Sequence, residues 1–292
     1  MKKRSFRITD QDQECFLMLW KWKLLTTAAL KMAAYNQKSF FRAYRRLLEL
    51  EKANYIQSLR SLDQKYSVWQ LMENGFNVIE EKLGSRKHDG FGCENKNHDF
   101  WVTAIHLGEW LKDVPENCDL YSEQQLRKYD LTSYPDWVPS NYEHRPDGWW
   151  SIGLDQPREN MLIALEVEFS KKSPGDYKLV GEFYSKIISP YQVIWVVKSK
   201  GDIDYIFKNL KAGSTTDAEE QSFVLLDHYI QHQWQSQIYF GKNKDKKVSD
   251  ILCASAPQSS AGSLLLDIRK LPIESSSPSS VCKAEMGLSR QY

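Results

Sequence analysis

The chain has 292 residues, 39 Lys+Arg against 38 Asp+Glu, and 41% hydrophobic residues, among them 10 Trp and 15 Tyr. This length and aromatic content suit a packed protein of two domains, each of roughly 100–200 residues, and exclude a largely disordered chain. No apolar run approaches the roughly 18 residues of a membrane span, no apolar stretch follows the basic start MKKRSFRITD, and the cysteines (15, 93, 118, 253 and 282) are odd in number and scattered. A cytoplasmic protein with free thiols and no signal or membrane segment is expected.

The near-neutral net charge hides an asymmetry. Residues 1–87 carry 17 Lys+Arg and 9 Asp+Glu, a net +8, which leaves 22 against 29, a net −7, for the rest. A basic nucleic-acid-reading module on an acidic body has this balance, and so does ordinary solvated surface.

In chain order, Thr9 with Asp12 three residues on predicts a capped helix to about Trp20 that buries Cys15, Phe16 and Leu19. Thr26 caps a short second helix, Thr27–Met32, and Ser39 caps a third, Phe40–Glu51. In the third, Phe40, Ala43, Leu47 and Leu50 fall at helical spacing and should face inward, leaving Arg42, Arg45 and Arg46 outside with Lys38 at the entry. Two β-prone runs follow, Tyr55–Arg60 and Tyr66–Leu71, separated by Ser61–Lys65. Three helices and a hairpin are the order of a winged helix-turn-helix over residues 1–84. Its third helix would enter a DNA major groove with Lys38, Arg42, Arg45 and Arg46 as DNA-binding residues, or the same module would serve protein contact.

Gly75–Lys82 reads as a closing helix and Gly84–Asn97 as a polar linker. His88, Cys93, His98 and Cys118 match no standard zinc spacing, so a zinc site is disfavoured. His98–Lys112 reads as a helix with a wide apolar face, and Ser122 as the cap of a short helix with Glu123 in its first turn. Residues 98–241 then form the second domain, and residues 242–292 a low-complexity tail with one apolar stretch, Ser263–Ile273, suited to docking.

The densest chemistry lies between Glu143 and Ser173. A Pro-Asp turn at Asp147 leads through a short strand to the apolar strand Met161–Phe169, where Glu166 and Glu168 share one face and Ile163, Leu165, Val167 and Phe169 the other. Carboxylates on a largely apolar strand must face a cation or a base, unless the strand is an edge with a solvated acidic face paired to Lys172 and Lys178. Together with Asp147 they suggest a site for Mg²⁺ or Mn²⁺, which take oxygen ligands. Ser173, Pro174 and Asp176 start the next helix, with Leu179, Phe183 and Ile187 as its buried stripe. Tyr191–Val197 is a strand buried on both faces, Asp204–Leu210 a helix, Phe223–Leu226 a strand and Gln237–Phe240 an edge strand, giving a small mixed α/β sheet.

PDG followed by LEVE resembles a degenerate PD-(D/E)xK nuclease core with Glu168 where the final lysine would stand. The order of HDFWVTAIHLGEWL, SEQQLR, RPDG, ALEVE and YQVIWVV behind the N-terminal module is similar to the replication-relaxation family and the related MobC-type plasmid mobilisation relaxases, over roughly residues 8–240. The resemblance implies an α+β protein: a winged helix followed by a restriction-endonuclease-like sheet. It implies metal ligands at Glu123, Asp147 and Glu166, with Asp147, Glu166 and Glu168 catalytic. The lysine would be displaced to Lys171, Lys172 or Lys178. Lys178 is favoured because a helix packed on the sheet fixes its direction, and Arg145 is a lesser candidate for phosphate contact. The implied activity is Mg²⁺- or Mn²⁺-dependent nicking of double-stranded DNA at a plasmid origin or similar site, alongside other mobilisation or replication proteins. The alternative is a DNA-binding regulator whose nuclease-like body has lost its chemistry, and a weaker one is an adaptor in a transfer complex.

Overall fold

The structure is a computed structural model and describes residues 6–60, 67–84, 90–108, 117–128, 132, 134–139, 144–153, 160–187, 191–214 and 220–252. Within these the protein mixes ten α-helices with two sheets. The expected turn at Ser61–Lys65, His88, Cys253, Cys282 and the apolar stretch Ser263–Ile273 lie outside the described residues.

The N-terminal part runs α1 (Asp10–Trp22), β1 (Leu25–Thr26), α2 (Thr27–Ala33), α3 (Phe40–Lys52), β2 (Ile56–Arg60), β3 (Ser67–Leu71) and α4 (Glu73–Leu83). Helix α1 starts where the sequence places it. Thr9 and Asp12 form a reciprocal capping box that satisfies two backbone N–H groups otherwise left without partners. The hydroxyls of Thr26 and Ser39 cap α2 and α3 one way only, accepting the Ala29 and Arg42 N–H groups. Strand β3 lies between β1 and β2, antiparallel to both. The two-residue β1 carries too short a pattern to be legible in sequence. In α3, Ala43, Leu47 and Leu50 are fully buried as expected, but Phe40 is 56% exposed, because the first turn of the helix projects past the core.

The body contains α5 (Lys96–Leu107), β4 (Cys118–Ser122), α6 (Glu123–Lys128), β5 (Gly148–Gly153), β6 (Asn160–Glu168), α7 (Pro174–Ser185), β7 (Tyr191–Val197), α8 (Lys200–Lys211), β8 (Gln221–Leu225), α9 (Leu226–His232), β9 (Phe240–Gly241) and α10 (Val248–Ile251). The sheet order is β4-β5-β6-β7-β8-β9, antiparallel except for the parallel pairs β6/β7 and β7/β8. Strand β6 is therefore interior, which overturns the edge-strand reading of its two glutamates.

Two apolar layers flank this sheet. On one face Ile163, Leu165 and Val167 join α5 and the whole N-terminal core, from Cys15 to Leu83, in one continuous cluster. On the other, Leu162 and Ala164 pack with Tyr177, Val180, Phe183 and Tyr184 of α7 and with α8. Of the stripe expected for α7, Phe183 is buried and Ile187 packs against the same cluster, but Leu179 does not face the sheet. Leu179 is 52% exposed, and Tyr177, Val180 and Tyr184 take the buried positions. The boundary expected between residues 84 and 98 is spanned by the first cluster, so the N-terminal part and the sheet share a core. Order also continues past residue 242, where Val248 and Leu252 are buried, and the edge strand expected over Gln237–Phe240 is present as the shorter β9, which starts at Phe240 and pairs with β8. Among the described residues no helix is long and apolar enough to cross a membrane.

Candidate active site

Asp147 sits at the entrance to β5, and its backbone is pinned from both sides. Its N–H donates to the Leu165 carbonyl at 2.9 Å, and its carbonyl accepts the Glu123 N–H at 3.2 Å. The side chain is held as well, with Oδ2 accepting the Val167 N–H at 2.7 Å. The next residue must be small: a Cβ on Gly148 would stand 2.0 Å from Cε1 and 2.1 Å from Nδ1 of the fully buried His106. The glycine of PDG is thus a packing requirement, a point of close approach between backbone and ring.

Glu166 and Glu168 project from β6 on the α7 side and are 4% and 7% exposed. Burying a carboxylate costs several kcal/mol unless charges and hydrogen bonds compensate it. Glu166 is compensated by Tyr184, whose hydroxyl donates to Oε1 at 2.6 Å, and by His144, whose Nε2 lies 2.5 Å from the same oxygen. Burial pushes its carboxyl up, but His144, Lys172 and Tyr184 together hold it below the usual carboxylate range. The same contact, after burial itself, drives the Tyr184 hydroxyl well above its ordinary value. Glu168 forms an ion pair with Lys172 at 3.1 Å and accepts the Ser170 N–H at 3.3 Å. Burial works against the Lys172 ammonium, yet Glu166 and Glu168, with Asp147 further off, raise its pKa.

A second set of charges approaches Asp147 from the other side. His98, in the first turn of α5, places Nε2 3.4 Å from Asp147 and Nδ1 3.4 Å from Asp99. Burial opposes the imidazolium, but the two carboxylates overcome it and push its pKa up to about 10. Asp147 itself is raised: burial dominates, the charges of Glu166 and Glu123 add to it, and His98 offsets only part. Behind His98, the buried Lys23 at the end of α1 pairs with Glu123 at 3.0 Å and Asp99 at 3.5 Å. Glu123 also pairs with Arg127 at 2.9 Å. The N-terminal part therefore contributes a cation to the surroundings of the site.

Of the residues expected from sequence, Asp147, Glu166, Glu168 and Glu123 come within one another's electrostatic reach. Lys178 and Lys171 do not join them: Lys178 turns to Glu182 at 3.7 Å and Lys171 to Asp202 at 3.3 Å. Lys172 is the lysine that arrives, because the irregular backbone after Phe169 directs it back over β6. Among the described residues no three His, Cys, Asp or Glu side chains gather closely enough to hold a metal ion as they stand. His98 thus stands as a cation between Asp147 and Asp99.

The four basic residues of the N-terminal part divide. Arg42 and Arg45 are exposed, and Lys38 is half-buried with its ammonium 4.7 Å from the Tyr35 ring centroid. Arg46 is different. It forms a bidentate pair with the fully buried Asp12, at 3.0 and 2.7 Å, and reaches the Arg7 carbonyl. Its guanidinium is committed to closing α3 onto α1, so it is removed from the expected DNA-binding set.

Sequence reasoning passed over His144 and Tyr184 and left Lys172 undecided. His144 stands three residues before Asp147 in the same turn, a local signal that was available. Tyr184 lies one position from Phe183, and both are buried, because the inward face of α7 is wider than a single stripe. No protein-family model, no curated protein and no solved structure matches this chain.

Proposed function

We propose that this protein binds double-stranded DNA through its N-terminal part and cleaves a phosphodiester with the carboxylate cluster of the sheet, a nicking activity of the plasmid mobilisation or replication type. One observation carries the reading: Glu166, Glu168 and Asp147 all act on the single ammonium of Lys172, which pairs directly with Glu168. The element order supports it. Helix, short strand, two helices and a hairpin are the order such a winged helix would have, and an antiparallel β4-β5-β6 followed by α7 and a parallel β7 is the order such a nuclease core would have.

In donor chemistry, though not as a ready-gathered set of three side chains among the described residues, the acids suit a hard divalent cation. Asp147 and Glu166 offer only carboxylate oxygens, and Mg²⁺ commonly rests on one or two carboxylates while keeping several waters. Glu123, gripped by Lys23 and Arg127, acts as a support for the site and not as a third ligand. A divalent ion supplies a water of lowered pKa and charge to offset the phosphate. The chain's own groups do the rest. Lys172 neutralises Glu168 and presents a cation to the anionic substrate. His144 and Tyr184 orient Glu166, and the Val167 N–H orients Asp147. The test is conversion of supercoiled plasmid to nicked circles with Mg²⁺ or Mn²⁺. Wild type should nick, whereas Asp147→Ala and Glu166→Ala should not; equal nicking by all three would dismiss the site.

A second reading is a DNA-binding regulator without chemistry. It is favoured by the imidazoles: Asp147 and Glu166 each already face a histidine, a self-contained charge balance. It requires a footprint independent of divalent cation and no nicking under any condition.

A further inference from the structure

Hydrophobic side chains at the start of α3 are spent on nothing inside the molecule. Phe40 is 56% and Phe41 67% exposed, the two most exposed large apolar side chains among the described residues. They stand next to each other in the first turn of α3: Phe41 lies opposite the buried stripe Ala43, Leu47 and Leu50, and Phe40, one turn before Ala43, is the exposed end of that stripe. Residues four apart share a helix face, so Phe41 lies beside the exposed Arg45, with Arg42 next to it and Lys38 just before the helix. Two adjacent rings kept in water give up the stabilisation that burial would provide. Their place within a cluster of cations, on a segment of net +8, says what chemistry covers them. A polyanion with apolar spots at its centre fits: the phosphates take the cations and the bases take the rings.

We propose that Phe40 and Phe41 are the sequence-reading residues of this protein, entering the DNA major groove to contact thymine methyl groups while Arg42, Arg45 and Lys38 hold the flanking phosphates. This rests on the DNA-binding reading above and divides it into two parts. Phosphate contacts position a protein but carry no sequence, whereas the C5 methyl of thymine is the one apolar mark in the major groove, matched by side chains such as Phe. The committed position of Arg46 sharpens the division. With that guanidinium bound to Asp12, the outward face of α3 keeps Arg42 and Arg45 as its arginines and depends on apolar contact for discrimination.

The experiment enriches binding duplexes from a library with a randomised core, using the full-length protein, then measures affinity for the enriched duplex by fluorescence anisotropy across a salt series. Wild type should enrich a thymine-containing motif, and replacing those thymines by deoxyuridine should weaken it about tenfold. Phe40→Ala/Phe41→Ala should bind about tenfold more weakly, lose the distinction between thymine and deoxyuridine, and keep the salt slope. Arg42→Ala/Arg45→Ala should lower the slope by about 2 while keeping the thymine preference. If the double phenylalanine variant enriches the same motif with the same thymine preference, the assignment of the rings is overturned and DNA binding stands. If wild type enriches nothing and binds no duplex at low salt, the DNA reading itself falls, and the proposal with it. Light scattering on both proteins supplies a further check. A wild-type dimer that becomes monomeric in the phenylalanine variant would assign the rings to self-association and overturn the proposal. Circular dichroism melts that coincide exclude misfolding, which two exposed positions should not cause.

Discussion

Lys172 and Glu168 form an ion pair at 3.1 Å, four residues apart across the irregular turn that joins β6 to α7. The acid standing where a nuclease core would carry its lysine is thereby answered by a lysine from the next segment. The ammonium also acts on Glu166 and Asp147.

Lys172 should therefore matter where its neighbours do not. Lys172→Met is expected to lower plasmid nicking by about a hundredfold or more, in line with the loss of a positioned charge at a transition state. Lys171→Met and Lys178→Met, whose partners are Asp202 and Glu182, should stay within about twofold of wild type. Agarose-gel nicking rates on the three variants decide the matter, and a silent Lys172→Met with a crippled Lys178→Met would return the role to α7.

Arg46 should behave as a structural residue. Asp12 is 0% exposed and held by Thr9, Tyr35 and Arg46, and the hydrogen bonds together outweigh burial to keep its carboxyl below the usual range. Arg46→Ala strands that charge and is expected to cost about 2–4 kcal/mol in urea denaturation, whereas Arg45→Ala should cost less than about 0.5 kcal/mol.

Gly148→Ala should fail for a steric reason. Its new methyl would meet the His106 ring, which is fully buried and lodged against Trp150. Shifting either partner disturbs β5 and the adjoining Asp147. A loss on the order of 3 kcal/mol is expected, with the Tm falling accordingly. An unchanged melt would show that the ring has room to move.

The imidazole of His98 sets an alkaline limit. Its pKa is raised from the ordinary value near 6.5 to about 10. A group raised on folding contributes stability that is fully present below the unfolded pKa and is lost as pH rises through the folded one. Stability should thus fall between pH 6.5 and 10, by on the order of 2 kcal/mol for this partly exposed group. Asp147, also raised, acts in the same sense: its contribution too is lost as pH rises through its folded pKa. Urea midpoints at pH 7 and pH 9.5 should differ in wild type and much less in His98→Gln; the same slope in both would clear His98 of the effect.

Local features of this protein were legible from its residues. Thr9 with Asp12 and Ser173 with Asp176 mark helix starts because a capping box is written in four consecutive residues. Glu166 and Glu168 share a face because strand side chains alternate, and YQVIWVV is an interior strand because it is apolar on both faces.

Tertiary structure decided what those residues meet. Three lysines follow Phe169, and Lys178, the one favoured from sequence, pairs with Glu182 one turn along its own helix, whereas the course of the chain after β6 sends Lys172 to Glu168 and Lys171 to the distant Asp202. Tyr184 and His144 reach Glu166 from 18 and 22 residues away, and Lys23 reaches Glu123 across 100, separations at which no periodicity carries information. The same holds for Phe40, Phe41 and Arg46. Helical spacing orders residues around an axis, but which of them is buried, paired or left in water depends on where the neighbouring helix ends. Sequence alone thus determined the elements and the sidedness of the acids. Which base answers each acid was decided only when the chain closed, because an ion pair is set by distance in space and not along the chain.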